Sequence, residues 1–492
     1  MEKKEEAVIK TLKEEMHNEK IIQKKRKKIL ISVEERINQE TTMALSLKEG
    51  ASSSVATGFG SSQITPFALA LKANNFQIGL LSSFVGLLSP LAQIFGSRLL
   101  EKKDRKKVII TNVTLQALMW LPILTLGILF WKGFFQESSP NILILLYSLY
   151  VIFGAIAGPS WFSLMGDAVP EKIRGKYFSK RNKITGTVSL IATLIAAFFL
   201  DYFQTKGIVL VAFSILFFFA CIFRLIAAGL FTKHKEKKLE LKEGYYFSIF
   251  KFVKNMPHNN FGRFVLFSGF FYFVVMIGSP FFTVYMLNDL GFSYTTLMLV
   301  SVSASFFSLL TLPIWGRLSD KYGNKEMLKL ACSMIPLMCF LWVLSPNPVY
   351  LILVPQLVGG IGWAGFNLAA SNFIYDSVTP ERRGICVAYY SVFEGLGIFF
   401  GALVGGLLAQ HLTITFMNTL LFVILISGTG RIIVPLIFFP KIKEVRKVKK
   451  KAGMLKYLSE FKPALHLRNI KPMSETIDLI FPHVKKLKFK KK

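Results

Sequence analysis

Apolar residues in this chain run in blocks of about 20 or more, enough for a helix to cross a hydrocarbon layer of about 30 Å. Short polar or charged stretches separate the blocks. A transmembrane β-barrel would write about ten alternating residues per strand, and the chain contains no such segments. The pattern predicts an all-α membrane protein. Its twelve spans fall near 50–71, 76–97, 107–131, 140–165, 183–203, 207–231, 262–287, 293–315, 326–345, 348–374, 384–410 and 415–439.

The loops between spans alternate in charge. Loops 1–2, 3–4 and 5–6 carry Lys72, Lys132 and Lys206, and their counterparts in the second half carry no Lys or Arg. The other side holds "EKKDRKK", "EKIRGKYFSKRNK", "TKHKEKKLELKEG", "GRLSDKYGNKE", "PERRG" and both tails. Positive residues near span ends are retained in the cytoplasm, so both termini are expected there. The start, "MEKKEEAVIKTLKEE", does not read as a secretory signal, because no short apolar run precedes a cleavage site.

The chain also repeats itself. "GDAVPEKIRGKYFSKRN" (166–182) and "YDSVTPERRGICVAYYS" (375–391) share Asp-x-Val and a following Arg-Gly. Pro66-Phe67 recurs as Pro280-Phe281, Gly96 as Gly316, and Arg224 as Arg431. Asp167, Arg174 and Gly175 recur as Asp376, Arg383 and Gly384. The offsets are 214, 220, 207 and 209, in chain order throughout. The chain therefore reads as a tail (1–49), a six-span bundle (50–231), a linker (232–260), a second bundle of the same orientation (261–440) and a basic tail (441–492).

Composition agrees: 52% of the 492 residues are hydrophobic, 14% are aromatic, and the mean hydropathy is +0.47. A net charge of +31 on a soluble chain would suggest nucleic acid. Here the charge is mostly topology signal, and no nucleic-acid partner is expected. Cys221, Cys332, Cys339 and Cys386 fall in or beside spans without metal-ligand spacing and read as small core residues. No catalytic constellation, cofactor motif or phosphate-binding Gly-Lys-Ser/Thr loop is present, so the chain is not expected to be an enzyme.

The twelve spans, the 6+6 duplication and the loops resemble the major facilitator superfamily over about residues 50–440, and the "RGKYFSKRN" hairpin resembles that of poorly characterised prokaryotic permeases. Members carry a Gly-x-x-x-Asp-x-x-Gly-Arg-Lys-like loop after the second span, echoed after the eighth. The second half has "GRLSDKYGNKE", with Gly316 and Asp320. The first half reads "GSRLLEKKDRKK": after Gly96, Glu101 stands one residue late and Asp104 replaces the second glycine.

The resemblance implies secondary active transport of a small solute by rocker-type alternating access in the cell membrane, with proton coupling as one option. It also implies a cytoplasmic gate. Asp320, Asp167, Arg174, Asp376 and Arg383 either form gating contacts or pin the loops. A lipid or amphipathic-drug exporter of the same fold and a non-transporting sensor or scaffold are the alternatives.

Three ionisable residues fall well inside spans: Glu394, Arg431 and Arg224. Such groups are costly in hydrocarbon and are functional candidates. Glu394 either exchanges a proton, forms an ion pair with Arg431, or contacts substrate; the paired arginines read mainly as structural. The resemblance places the first, fourth, seventh and tenth spans around a central cavity. Candidate lining residues are Ser61 and Thr65; Tyr147, Tyr150 and Trp161; Tyr272 and Ser279; and Gln356, Trp363 and Asn367. Small and polar residues also pack helices together. Gly397, Gly401 and Gly405 form a close-packing face. The stretch 243–255 is amphipathic and is expected to lie on the membrane surface. The tail ending "KKLKFKKK" is expected to meet anionic lipid.

Overall fold

In hydrocarbon every backbone N–H and C=O must find a partner within the protein, so each apolar block closes its hydrogen bonds as a helix. The computed structural model describes residues 37–99, 103–234, 249–379 and 382–446, apart from the side chains of 171, 172, 174–176, 251, 383 and 384. Among the described residues there are twelve spans. In the first half these are α1 (37–59, resuming as Ile64–Ala70), α2 (Asn75–Leu99), α3 (Arg105–Trp131), α4 (Ser139–Ala168), α5 (Glu171–Gln204) and α6 (Val209–Phe231). In the second half they are α7 (Asn260–Asp289), α8 (Tyr294–Tyr322), α9 (Asn324–Leu341), α10 (Pro348–Ser377), α11 (Arg383–His411) and α12 (Thr419–Phe438). Ten are long and apolar enough to cross a membrane on that ground alone. The other two are α1, which is interrupted, and α9, whose first turns carry Lys325, Glu326 and Lys329.

Two boundaries move outward from the sequence expectation. Helix is already running at residue 37 rather than at 50, with Thr42, Ser46 and Glu49 buried. The segment "RGKYFSKRNK" belongs to α5 rather than to a long hairpin. These turns are polar, so they do not read as membrane. They meet along one side, where Tyr177 is buried and its hydroxyl donates to the Met43 carbonyl at 3.0 Å. In the linker, Ile249–Asn255 is a short helix whose Phe252 packs beside Tyr389 while Phe250 is exposed. The rest of the amphipathic stretch lies outside the described residues.

The repeated Pro-Phe pairs mark matching interruptions. In α1 a 3-10 turn, Ser61–Gln63, precedes Pro66-Phe67. In α7 the α-helix stops at Gly278, restarts over Phe281–Val284 and ends as a π-turn at Tyr285–Asp289. Proline lacks the donor that would continue the ladder. Phe67 and Phe281 are both fully buried, in one apolar cluster that draws on both halves.

That shared cluster lies toward the end of the bundle bearing the short loops. Toward the basic loops the apolar clusters separate: one holds only residues 252–442, and three others hold only residues 92–231. The halves thus meet at the short-loop end and part at the basic end.

Close backbone approach and polar clasps hold α11 to α7 within the second half and to the first half across the seam. An added Cβ at Gly401 would land on the Phe273 carbonyl, and Gly397 and Gly405 likewise face Gly269 and Ile277 of α7. On its other side α11 meets α2 through Gly406 against Gly79 and Gly395 against Gly86. Ser83 donates to the Phe399 carbonyl at 2.9 Å, and Asn75 to the Ala409 carbonyl at 3.0 Å. Asp201, at the end of α5, accepts from the amides of Tyr294 (2.6 Å) and Thr295 (2.9 Å). One half thereby caps the first turn of a helix in the other, where amides lack partners and the dipole favours an anion.

Two outcomes follow. Gly401→Val destabilises the purified protein by about 2–3 kcal/mol through overpacking, read as thermal unfolding in detergent. Gly186→Ala, at an exposed position with open space beside it, is neutral by comparison. Asp201→Ala removes both cross-half hydrogen bonds and loosens the closed end by about 1–2 kcal/mol. Spin labels at Lys206 and Asn288 would then report a longer or broader distance distribution; an unchanged one would mean that the clasp holds nothing.

Candidate functional site

Between the halves lies a cavity of about 490 Å³. It is walled by α1, α2, α4, α7 and α11. Thr65 and Tyr147 come from the first half and Met276, Ser391 and Glu394 from the second. Among the described residues, Glu394 is the one charged residue in the lining. Its carboxyl faces the Tyr272 hydroxyl from α7, and Tyr390 lies one turn earlier on α11. The close seating of Gly395 and Gly397 on α2 and α7 holds this part of α11 at the cavity wall.

The expected Glu394–Arg431 ion pair is not formed. Arg431 is fully buried and turns away: Nε donates to Ser427 Oγ (3.1 Å), and Nη2 donates to the Val275 carbonyl (3.1 Å) and Ser279 Oγ (3.3 Å). Similar depth in neighbouring spans did not bring the two together, because they leave their helices on different sides. Arg224 behaves like its repeat partner. It donates to Gln116 Oε1 (2.6 and 2.9 Å) and Ser53 Oγ (2.7 Å), tying α6 to α3 and α1. Both arginines are held by neutral groups of their own half and serve as internal struts, with Nη1 of Arg431 left buried without a hydrogen bond among the described residues.

The other candidates divide. Tyr147 stacks on Tyr150 (5.3 Å between ring centroids), which in turn lies on Trp120 (4.7 Å). Ser61 stands beside the Tyr150 hydroxyl. Trp363 is half-buried against Tyr272 (6.3 Å), so it backs the wall that carries Glu394. Ser279 is taken by Arg431. Gln356 is buried and Asn367 is exposed on α10, and neither lines this cavity.

Trp161 belongs elsewhere. Its indole N–H donates to Glu49 Oε1 (3.1 Å), and Arg181 lies over its ring at 4.5 Å. Arg181 also pairs with Glu49 (2.9 Å) and donates to Ser46 Oγ (3.1 Å). This buried knot fastens α1 to α4 and α5. Sequence reasoning missed it because Glu49 was placed in the tail; the signal was the continuing helical spacing of Met43, Ser46 and Glu49.

The described gate carboxylates find partners within their own half. Asp167 accepts from Arg105 (2.6 Å), which is buried and also donates to Ser163. Asp376 accepts from Asn324 (2.7 Å) and from Arg446 (3.2 Å), and Arg446 also reaches Asp320 (2.8 Å). Arg105 and Asn324 open α3 and α9 at matching places in the repeat. Where the second half has a neutral Asn, the segment after α12 supplies the cation. Asp104 pairs only with Lys107, in solvent. Gly96 lies against the Ile156 backbone, whereas Gly316 has open space beside it and is not a close-contact glycine. Glu101 lies outside the described residues, as do the side chains of Arg174 and Arg383 at Gly175 and Gly384.

With no ion pair to lose, Glu394→Gln leaves thermal stability unchanged or raised, within about 0.5 kcal/mol. Arg431→Gln lowers it by about 2–3 kcal/mol through its buried hydrogen bonds. Equal losses in unfolding experiments would restore the ion pair.

The chain matches the Major Facilitator Superfamily over residues 51–284 and 264–481. It is 31% identical over 101 residues to the vacuolar membrane amino acid uptake transporter fnx2 of Schizosaccharomyces pombe, 20% of this chain and 17% of that protein. It is 32% identical over 110 residues to the multi-drug resistance efflux pump PmrA of Streptococcus pneumoniae, 22% of this chain and 26% of that one. It is 31% identical over 105 residues to the multidrug resistance protein MdtG of Salmonella choleraesuis, 21% and 26% of the respective chains. The matched stretch thus spans about a quarter or less of these relatives. In structure it resembles the nucleoside transporter NupG (TM-score 0.59, 16% identity, 86% of this chain and 99% of that one). It also resembles the inward open xylose transporter XylE of E. coli (TM-score 0.58, 14% identity, 86% and 98%). With both halves matched and the twelve-helix fold in common, the chain belongs to the Major Facilitator Superfamily.

Proposed function

We propose that this chain is a secondary active transporter of a small solute, working by alternating access with Glu394 as the group that takes up and releases a proton. The observation that carries the reading is a lone carboxyl in a cavity between two halves, unpaired with the arginines at its depth. A carboxyl that is the only charge in such a cavity can be neutralised by a proton or by a cationic solute, and competition between the two couples their movements. The halves join through few polar clasps at one end, which suits a rocking motion. The basic end is assigned to the cytoplasm of the cell membrane, with both termini there; the solute path in this conformation then opens inward. A lining that mixes Ile64, Leu81, Val85, Met276 and Ile398 with Tyr147 and the hydroxyls of Thr65, Ser82 and Ser391 favours an amphipathic organic solute, and the efflux proteins among the relatives support export of such compounds as the second reading.

Reconstituted protein is tested with an imposed pH gradient and a panel of neutral and cationic aromatic solutes. Wild type moves at least one solute with the gradient. Glu394→Gln loses gradient-driven movement, by about a hundredfold or more, yet keeps solute–solute exchange at equal pH. Loss of exchange as well would make Glu394 a solute contact, and gradient-driven movement by the variant would remove it from coupling.

A further inference from the structure

A second hollow is larger than the central one. A groove of about 710 Å³ runs between α9 and α12 on the outside of the second half. Its α9 wall is one stripe: Lys325, Lys329, Ser333, Pro336, Leu337 and Phe340. Steps of three and four residues keep these side chains on one face. From Lys325 to Phe340 the stripe is about 22 Å long at about 1.5 Å per residue. Ile432, Pro435, Leu436 and Phe439 form the facing wall on and just past α12. Leu337 and Leu436 are 47% and 70% exposed, so the groove is open along its side.

Charge is confined to one end. Lys325, Glu326 and Lys329 stand at the mouth, where Lys329 and Glu326 pair at 2.8 Å. The chain passes the mouth at Pro440 and continues through exposed Lys441 and Lys443. Glu444 stands here too, its carboxylate accepting from the amides of Lys325, Val445 and Arg446, so Lys325, Lys329, Lys441 and Lys443 face two carboxylates, Glu326 and Glu444, and the mouth stays positive. Below the mouth the walls carry no charged residue.

We infer that this groove binds one anionic phospholipid, its phosphate at Lys325 and Lys329 and its acyl chains along the α9 stripe. Three observations agree. The mouth is positive and sits at the basic end of the bundle, where a membrane presents anionic headgroups. The stripe matches one leaflet, about 20–22 Å of a bilayer about 40–45 Å thick including headgroups. A pocket between spans with basic residues at its rim is suited to an anionic lipid head. A neutral lipid would gain nothing from the lysines, and a partner helix would leave the charged mouth unfilled.

The test is native mass spectrometry of the full chain, released from micelles holding equal phosphatidylglycerol and phosphatidylcholine. Wild type keeps one phosphatidylglycerol at least tenfold over phosphatidylcholine. Lys325→Gln with Lys329→Gln lowers that preference about tenfold or more, at about 1 kcal/mol per lysine. Its lipid-free unfolding temperature stays unchanged. Leu337→Trp, at an exposed position, fills the groove and lowers retention of either lipid. If the double variant does not fold, Lys329→Gln alone shows a loss of about fivefold. Equal retention of the two lipids by wild type would overturn the inference, leaving only unselective annular lipid. An undiminished preference in the lysine variants would overturn it as well, and would move the anionic lipid to another basic part of the chain.

Discussion

Most of this architecture depends on how closely α11 can approach its neighbours. Lipid tails are as apolar as leucine, so helices in a membrane gain nothing by hiding apolar side chains from one another. They associate through van der Waals contact and hydrogen bonds, and both need short distances. Gly397, Gly401 and Gly405 let α11 rest on the carbonyls of α7, and Gly395 and Gly406 let it rest on α2. One helix is thereby bonded to its own half on one side and to the opposite half on the other. Glu394 lies beside these contacts, so the packing that joins the halves also fixes the carboxyl at the cavity.

The polar groups divide by end. At the short-loop end they reach across the seam: Asp201 to α8, Asn75 to α11 and Ser83 to α11. At the basic end Asp167, Asp320 and Asp376 are all satisfied within their own half. This asymmetry is what a bundle closed at one end and open at the other requires. The duplicated halves are not chemically equal in it. The first half holds Asp167 with a buried arginine of its own, and the second borrows Arg446 from the segment that follows α12. That segment also places Glu444 on the first turn of α9, so it is part of the second bundle's basic end.

Interior charge follows the same economy. Arg224 and Arg431 each span two or three helices through neutral oxygens. The Glu49–Arg181–Trp161 knot does similar work for the early turns of α1. With these cations engaged as struts, Glu394 is left, among the described residues, as the one charge lining the cavity.

The helical membrane class, the twelve spans, the two-fold repeat and the ionisable residues worth following were legible along the chain. Each of these is local: block length, loop charge and recurrence are written along the chain and need no knowledge of what touches what. The Gly-xxx-Gly face of α11 was legible for the same reason. Span ends were less so, because 37–49 and the start of α5 are largely polar, and hydropathy cannot register that Thr42, Ser46, Glu49 and Tyr177 are buried by other helices. Partners were not legible at all. Glu394 and Arg431 sit at one depth on adjacent spans, yet one faces the cavity and the other faces α7. Ser279 and Trp161 carry the chemistry of a lining residue but serve Arg431 and Glu49. Asp201, an unremarked carboxylate at a span end, became a clasp only when α5 and α8 met. Depth follows from counting residues, but azimuth depends on how each helix is rotated against its neighbours, and only the packed bundle fixes that rotation.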